Sequence, residues 1–156
     1  LLKDISHSII EKNLFSDNTT GIYMEGTNDI RSSENDFVGN GYALRIQANC
    51  YDGEFNRNNF CFNSFDIATN GTRILNAFDG NYWDKYEGYD LNRDGVGDVP
   101  YHPVSLYSMV VERMPNAMML YRSFVVSIMD KAERVMPAIT PVDLSDKSPL
   151  MKATTW

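Results

Sequence analysis

The sequence predicts a mainly β fold: a right-handed parallel β-helix, a solenoid of 22–23-residue coils, followed by a C-terminal acidic loop and a helical tail. Three columns of residues carry this reading. An aromatic residue follows Asn in Asn13-Leu14-Phe15, Asn35-Asp36-Phe37, Asn58-Asn59-Phe60 and Asn81-Tyr82-Trp83, in steps of 22, 23 and 23 residues. A second Asn keeps the step at Asn18, Asn40 and Asn63, and an aliphatic residue keeps it at Ile22, Leu44 and Ile67. Self-similarity at one short period marks a solenoid; helical repeats are longer, and the leucine-rich consensus is absent.

Residues 1–83 hold the coils. Short alternating pieces such as Asp36-Phe37-Val38 and Tyr42–Ile46 are expected as strands separated by Asn/Gly bends. Asn is expected to take the left-handed conformation at the corners and to stack into amide ladders along the axis. Phe15, Phe37, Phe60 and Trp83 should form one internal column, and Ile22, Leu44 and Ile67 another. The first coil shows no cap, so further coils are expected before residue 1.

Composition narrows the partners. The chain has 156 residues with 14 Lys+Arg against 21 Asp+Glu, a net charge of −7, which argues against a nucleic-acid partner. No apolar run reaches the roughly 18 residues of a membrane span. Cys50 and Cys61 lie about half a coil apart, a spacing that tends to put them on different faces and leaves their pairing open.

Residues 84–104 read as a capping segment. Within it, Asp90-Leu91-Asn92-Arg93-Asp94-Gly95-Val96-Gly97-Asp98 matches the first nine positions of an EF-hand-type calcium loop. Asp90, Asn92, Asp94 and Asp98 would offer side-chain oxygens and Val96 its carbonyl. The twelfth position, where a bidentate Glu is expected, is Tyr101. The loop is thus either a structural calcium site, completed by Asp84 or Glu87, or an Asx-turn loop that holds itself.

Residues 105–136 are expected to be helical, with one helix running from Pro115 to about Val135, and residues 137–156 extended by their prolines. Seven of the eight Met residues lie between Met109 and Met151. Thioethers suit Cu(I), and His102 with Met109 is the copper candidate. The same residues also suit adaptable interfaces, and Met118, Met119, Phe124, Met129, Leu150 and Met151 are the candidate docking residues.

Several runs together resemble the NosD family: Gly80-Asn81-Tyr82-Trp83-Asp84-Lys85-Tyr86, Gly88-Tyr89-Asp90 through Pro100-Tyr101, Val111-Glu112-Arg113-Met114-Pro115-Asn116-Ala117, Lys131-Ala132-Glu133-Arg134-Val135-Met136-Pro137 and Pro149-Leu150-Met151-Lys152. The resemblance implies the C-terminal portion of a periplasmic maturation factor of nitrous oxide reductase, with a signal peptide on the preceding part. It implies a non-enzymatic protein without catalytic residues. Its partners would be ABC transporter subunits and a copper chaperone, its client the reductase whose copper–sulfur centre is assembled, and its contact with the membrane only through those partners. Copper would be in transit. The alternative is a carbohydrate-binding or polysaccharide-processing β-helix, with Tyr82, Trp83, Tyr86 and Tyr89 as a sugar-stacking cluster and Asp36, Asp52, Glu54 and Asp66 as its carboxylates.

Overall fold

Every coil repeats one arrangement of three short strands. The computed structural model describes residues 1–71, 75–135 and 144–155. After β1 (Leu2–Lys3), the first full coil holds β2 (Ser6–Glu11), β3 (Leu14–Ser16) and β4 (Thr20–Glu25). The second holds β5 (Asn28–Ser33), β6 (Asp36–Val38) and β7 (Tyr42–Ile46). The third holds β8 (Tyr51–Asn56), β9 (Asn59–Cys61) and β10 (Phe65–Thr69), and β11 (Leu75–Asp79) and β12 (Tyr82–Trp83) begin the next. The strands stack into three parallel sheets ordered β1-β4-β7-β10, β2-β5-β8-β11 and β3-β6-β9-β12. The expected parallel β-solenoid is therefore the fold.

All three sequence columns are structural columns. Phe15, Phe37, Phe60 and Trp83 align in register and stack with ring centroids 4.9, 4.9 and 4.2 Å apart. Ile22, Leu44 and Ile67 align likewise and are buried. Removing such surface from water is the main term holding the coils together.

The Asn columns form ladders in which each carboxamide oxygen serves the coil before it. Asn35 Oδ1 accepts Asn13 N–H (3.0 Å) and Asn13 Nδ2 (3.2 Å); Asn58 Oδ1 accepts the same pair from Asn35, and Asn81 Oδ1 from Asn58. Asn63 repeats this on Asn40. Asn35, Asn40, Asn58, Asn63 and Asn81 are buried, so beyond the first coil the ladders keep corner N–H groups satisfied where water does not reach.

One expectation is corrected here. The left-handed corner residue is not Asn but the residue before it: Lys12 (φ 56°), Glu34 (56°), Arg57 (58°) and Gly80 (65°) precede one ladder, and Asp17 (54°), Gly39 (67°) and Phe62 (58°) the other. The reason is division of labour. The corner turns the chain, and the next residue must aim its carboxamide along the axis. Several non-Gly residues bear the steric cost of positive φ because the ladder and the stacked core fix the corner around them.

The helices fold back on the flank of the first sheet. They are α1 (Leu106–Arg113), a 3-10 helix (Pro115–Leu120) and α2 (Phe124–Val135). Ser105 caps α1 by accepting Ser108 N–H. The single helix expected from Pro115 is split. Tyr121 is extended, Arg122 takes φ 65°, and the Ser123 hydroxyl accepts Val126 N–H to start α2 afresh. Tyr107, Val111 and Val126 pack on Tyr42, Phe65 and Ala68 of the sheet's outer surface.

The tail closes the solenoid's C-terminal end. Residues 136–143 of the expected helix end and extended tail lie outside the described residues. From Leu144 the chain crosses the last coil, bridging Asp146 to Phe78 and Tyr101, and Leu150 to Tyr82 and Val96. The capping loop accommodates it through tight packing: Tyr86 lies against Gly88 and Gly97, where any Cβ would run into its phenol, and its hydroxyl donates to Val99 O (2.7 Å). Cys50 is buried and Cys61 partly exposed, both as free thiols.

Candidate functional site: the helical flank and the cap

Two features stand out from the regular solenoid, an apolar helical face and a cavity beneath it. The face is made by Met118, Met119, Leu120, Phe124, Val125 and Ile128, with Met119 90% and Phe124 79% exposed. Large apolar side chains exposed together on neighbouring helices are a candidate interaction site. No helix among the described residues is long and apolar enough to cross a membrane.

The face is fixed from beneath. Arg45 on β7 donates from Nε to Glu112 Oε1 (2.8 Å) and from Nη2 to Oε2 (2.9 Å), a bidentate pair in which Glu112 is only 5% exposed. The same guanidinium lies 5.6 Å from the Tyr23 ring centroid and 5.2 Å from that of Tyr42. Glu133 on α2 accepts Leu106 N–H at the start of α1 with both carboxylate oxygens, a favourable end for a carboxylate. Docking of the helices is thus specified by fixed polar contacts as well as by apolar burial.

The other expected site residues fall in different places. Met129 is half-buried against the cluster that holds α1. Leu150 and Met151 are half-buried, and their N–H groups donate to Asn81 O and Gly95 O, so this stretch belongs to the cap. Met109 is buried in the main core, and His102 Nδ1 lies 3.2 Å from Leu144 O. Burial, with nearby carboxylates adding to it, pushes the Cys61 thiol up to about 11, opposite to what a thiolate ligand needs.

In the acidic loop, Asp90 accepts the N–H groups of Arg93, Asp94 and Gly95, Asp94 accepts Val96 N–H, and Asp98 accepts Leu91 N–H. Asn92 donates to Asp94. The expected calcium ligands are engaged as turn acceptors, and among the described residues no three His, Cys, Asp or Glu side chains converge as a metal site.

Sequence reasoning passed over an ion pair under the cap, with Asp66 buried and Lys85 40% exposed. Lys85 donates to Asn63 O, Ser64 O and Asp66 Oδ2, closing the second ladder. Asp66 also accepts Tyr101 OH (3.4 Å), while its Oδ1 is buried without a partner. Burial pushes the Asp66 carboxyl up to about 6, against the pull of Lys85. With the folded value above the ordinary 3.8, this group favours folding most below pH 3.8 and loses that contribution as pH rises through 6. Asp66→Asn should therefore gain on the parent as pH rises. The gap in urea-unfolding free energy should widen by on the order of 2–3 kcal/mol between pH 4 and pH 7; a pH-independent gap would refute this assignment.

The fold and the site define a parallel β-solenoid, closed at one end by its own tail and carrying a fixed apolar helical flank. The chain belongs to the NosD family: the family profile described as "Periplasmic copper-binding protein (NosD)" matches residues 1–88. It is 29% identical over 147 residues to a probable ABC transporter binding protein NosD of Stutzerimonas stutzeri, covering 94% of this chain and 29% of that protein. It is 27% identical over 144 residues to a protein of the same description from Pseudomonas aeruginosa, covering 92% of this chain and 29% of the relative. The chain thus spans a little under a third of the length of these relatives.

Proposed function

We propose that this chain is part of a periplasmic, non-enzymatic accessory protein that acts with an ABC transporter and a copper chaperone in assembling the copper–sulfur centre of nitrous oxide reductase. The observation that carries this reading is the exposed apolar set Met118, Met119 and Phe124, carried next to α1, which Arg45 and Glu112 pin to the solenoid. The relatives' description as ABC transporter binding proteins supports it. The flank docks on the transporter as an amphipathic surface in an apolar groove. The solenoid is the platform for chaperone and client, and copper passes as cargo. Transporter conformational change acts on the platform through the flank, shifting its affinity for what it carries.

The test is co-purification of the full-length parent with its transporter. Met119→Asp combined with Phe124→Asp should reduce recovery at least about tenfold, the effect of losing roughly 1.4 kcal/mol or more of docking energy. Both side chains are largely exposed, so the fold should survive, as circular dichroism and melting would verify. Undiminished recovery would overturn the docking assignment.

A further inference from the structure

Beneath the helical flank lies a cavity of about 670 Å³, formed where the last coil, the capping loop and the helices meet. That volume is in the range of small-molecule sites, roughly 300–1,000 Å³. We propose that this cavity binds an organic cation, an ammonium or guanidinium group carried on an apolar stem.

The lining argues for that class. Phe65, Tyr86, Tyr89, Tyr101, Tyr107 and Tyr121 all border the cavity. The hydroxyls of Tyr86, Tyr101 and Tyr107 are already donated within the protein, to Val99 O, Asp66 Oδ2 and Ala117 O. At these three residues the wall therefore has aromatic rings but no spare hydroxyl donor. Ring faces attract cations, and more so where water is displaced. A sugar would draw less from such a wall, because its orientation depends on convergent hydrogen-bonding groups.

Charge points the same way. The described lining residues include three carboxylates, Asp66, Glu87 and Glu133, against one ammonium, Lys85, although Glu87 and Glu133 already have partners of their own. That ammonium is already spent on Asn63 O, Ser64 O and Asp66. Asp66, which borders the cavity, adds a buried charge: its Oδ1 has no hydrogen-bond partner and almost no accessible surface of its own. A cation held in the cavity offsets that charge through the wall, without direct contact with Oδ1. Burial holds the same carboxyl near 6, the kind of perturbation that gathers at binding sites.

The test uses the full-length parent and isothermal titration at pH 7. The probes are agmatine, N-acetyl-argininamide and maltose. Saturable binding of agmatine, without maltose binding, is expected. If N-acetyl-argininamide binds as well, the site also accepts an arginine side chain from a polypeptide; if only agmatine binds, it takes the free cation. Asp66→Asn, an isosteric change, and Tyr89→Ala, at a side chain more than half exposed, should each weaken agmatine binding about tenfold, the scale of one lost charge interaction or cation–π contact. No saturable binding of either cation, binding of maltose instead, or cation affinity unchanged in both variants would overturn the proposal.

Discussion

Asp146→Ala is expected to open the C-terminal end of the solenoid and to cost on the order of 3–5 kcal/mol, the scale of stripping the partner from a buried polar network. Asp146 is fully buried and meets five N–H donors. Its Oδ1 accepts Gly80 N–H (3.0 Å) and Ser148 N–H (3.1 Å). Its Oδ2 accepts Asn81 N–H (2.9 Å), Asn81 Nδ2 (3.0 Å) and Trp83 Nε1 (3.0 Å).

This is the place in the ladder that the next coil's Asn would occupy. Asn35, Asn58 and Asn81 each accept from the Asn one coil before; at the end of the series Asp146 accepts from Asn81. A carboxylate suits the terminus because it only accepts. Nothing beyond it needs a donor, and it meets more N–H groups than a single carboxamide oxygen does. Asp146→Asn should therefore rescue poorly, since either rotamer turns an NH₂ group toward N–H donors. Urea unfolding and hydrogen exchange at Gly80, Asn81 and Trp83 measure this. A loss under about 1 kcal/mol, with those amides still protected, would show that the tail merely rests on the coil.

The ladder also shows why some of this architecture was legible in the sequence and some was not. Phe15, Phe37, Phe60 and Trp83 announce themselves because solenoid neighbours in space recur at a constant step in sequence. Asp146 follows Asn81 by 65 residues and is a different residue type, so no periodicity reaches it. The same holds for Arg45 and Glu112, 67 residues apart: each was visible, but only the folded flank makes them a pair. The corner residues were misassigned because composition says that Asn tolerates positive φ but not that the ladder needs its carboxamide elsewhere. The break at Arg122 was not legible because apolar residues run on both sides of it, Met118, Met119 and Leu120 before and Phe124, Val125 and Ile128 after. Asp66 reads as one more surface carboxylate until Lys85 and the capping loop close over it.

Arg45→Ala is expected to loosen the helical flank more than Glu112→Ala does, by about 2–4 against 1–2 kcal/mol. The asymmetry follows from burial. Losing Arg45 leaves the Glu112 carboxylate, 5% exposed, without its counterion; losing Glu112 leaves a guanidinium that is 34% exposed and still lies over Tyr23 and Tyr42. The solenoid core should keep its protection in both variants, because the stacked rings and ladders do not depend on the helices, whereas α1 amides should exchange faster in Arg45→Ala. Equal effects, or the reverse order, would mean that apolar packing of Tyr107, Val111 and Val126 alone holds the flank. Transporter recovery extends the test. If the partner reads the flank only when the solenoid presents it, Arg45→Ala should lower recovery although Met118, Met119 and Phe124 are untouched. The double variant Arg45→Met with Glu112→Leu should restore recovery, because an apolar pair of similar size can hold the helix without either charge.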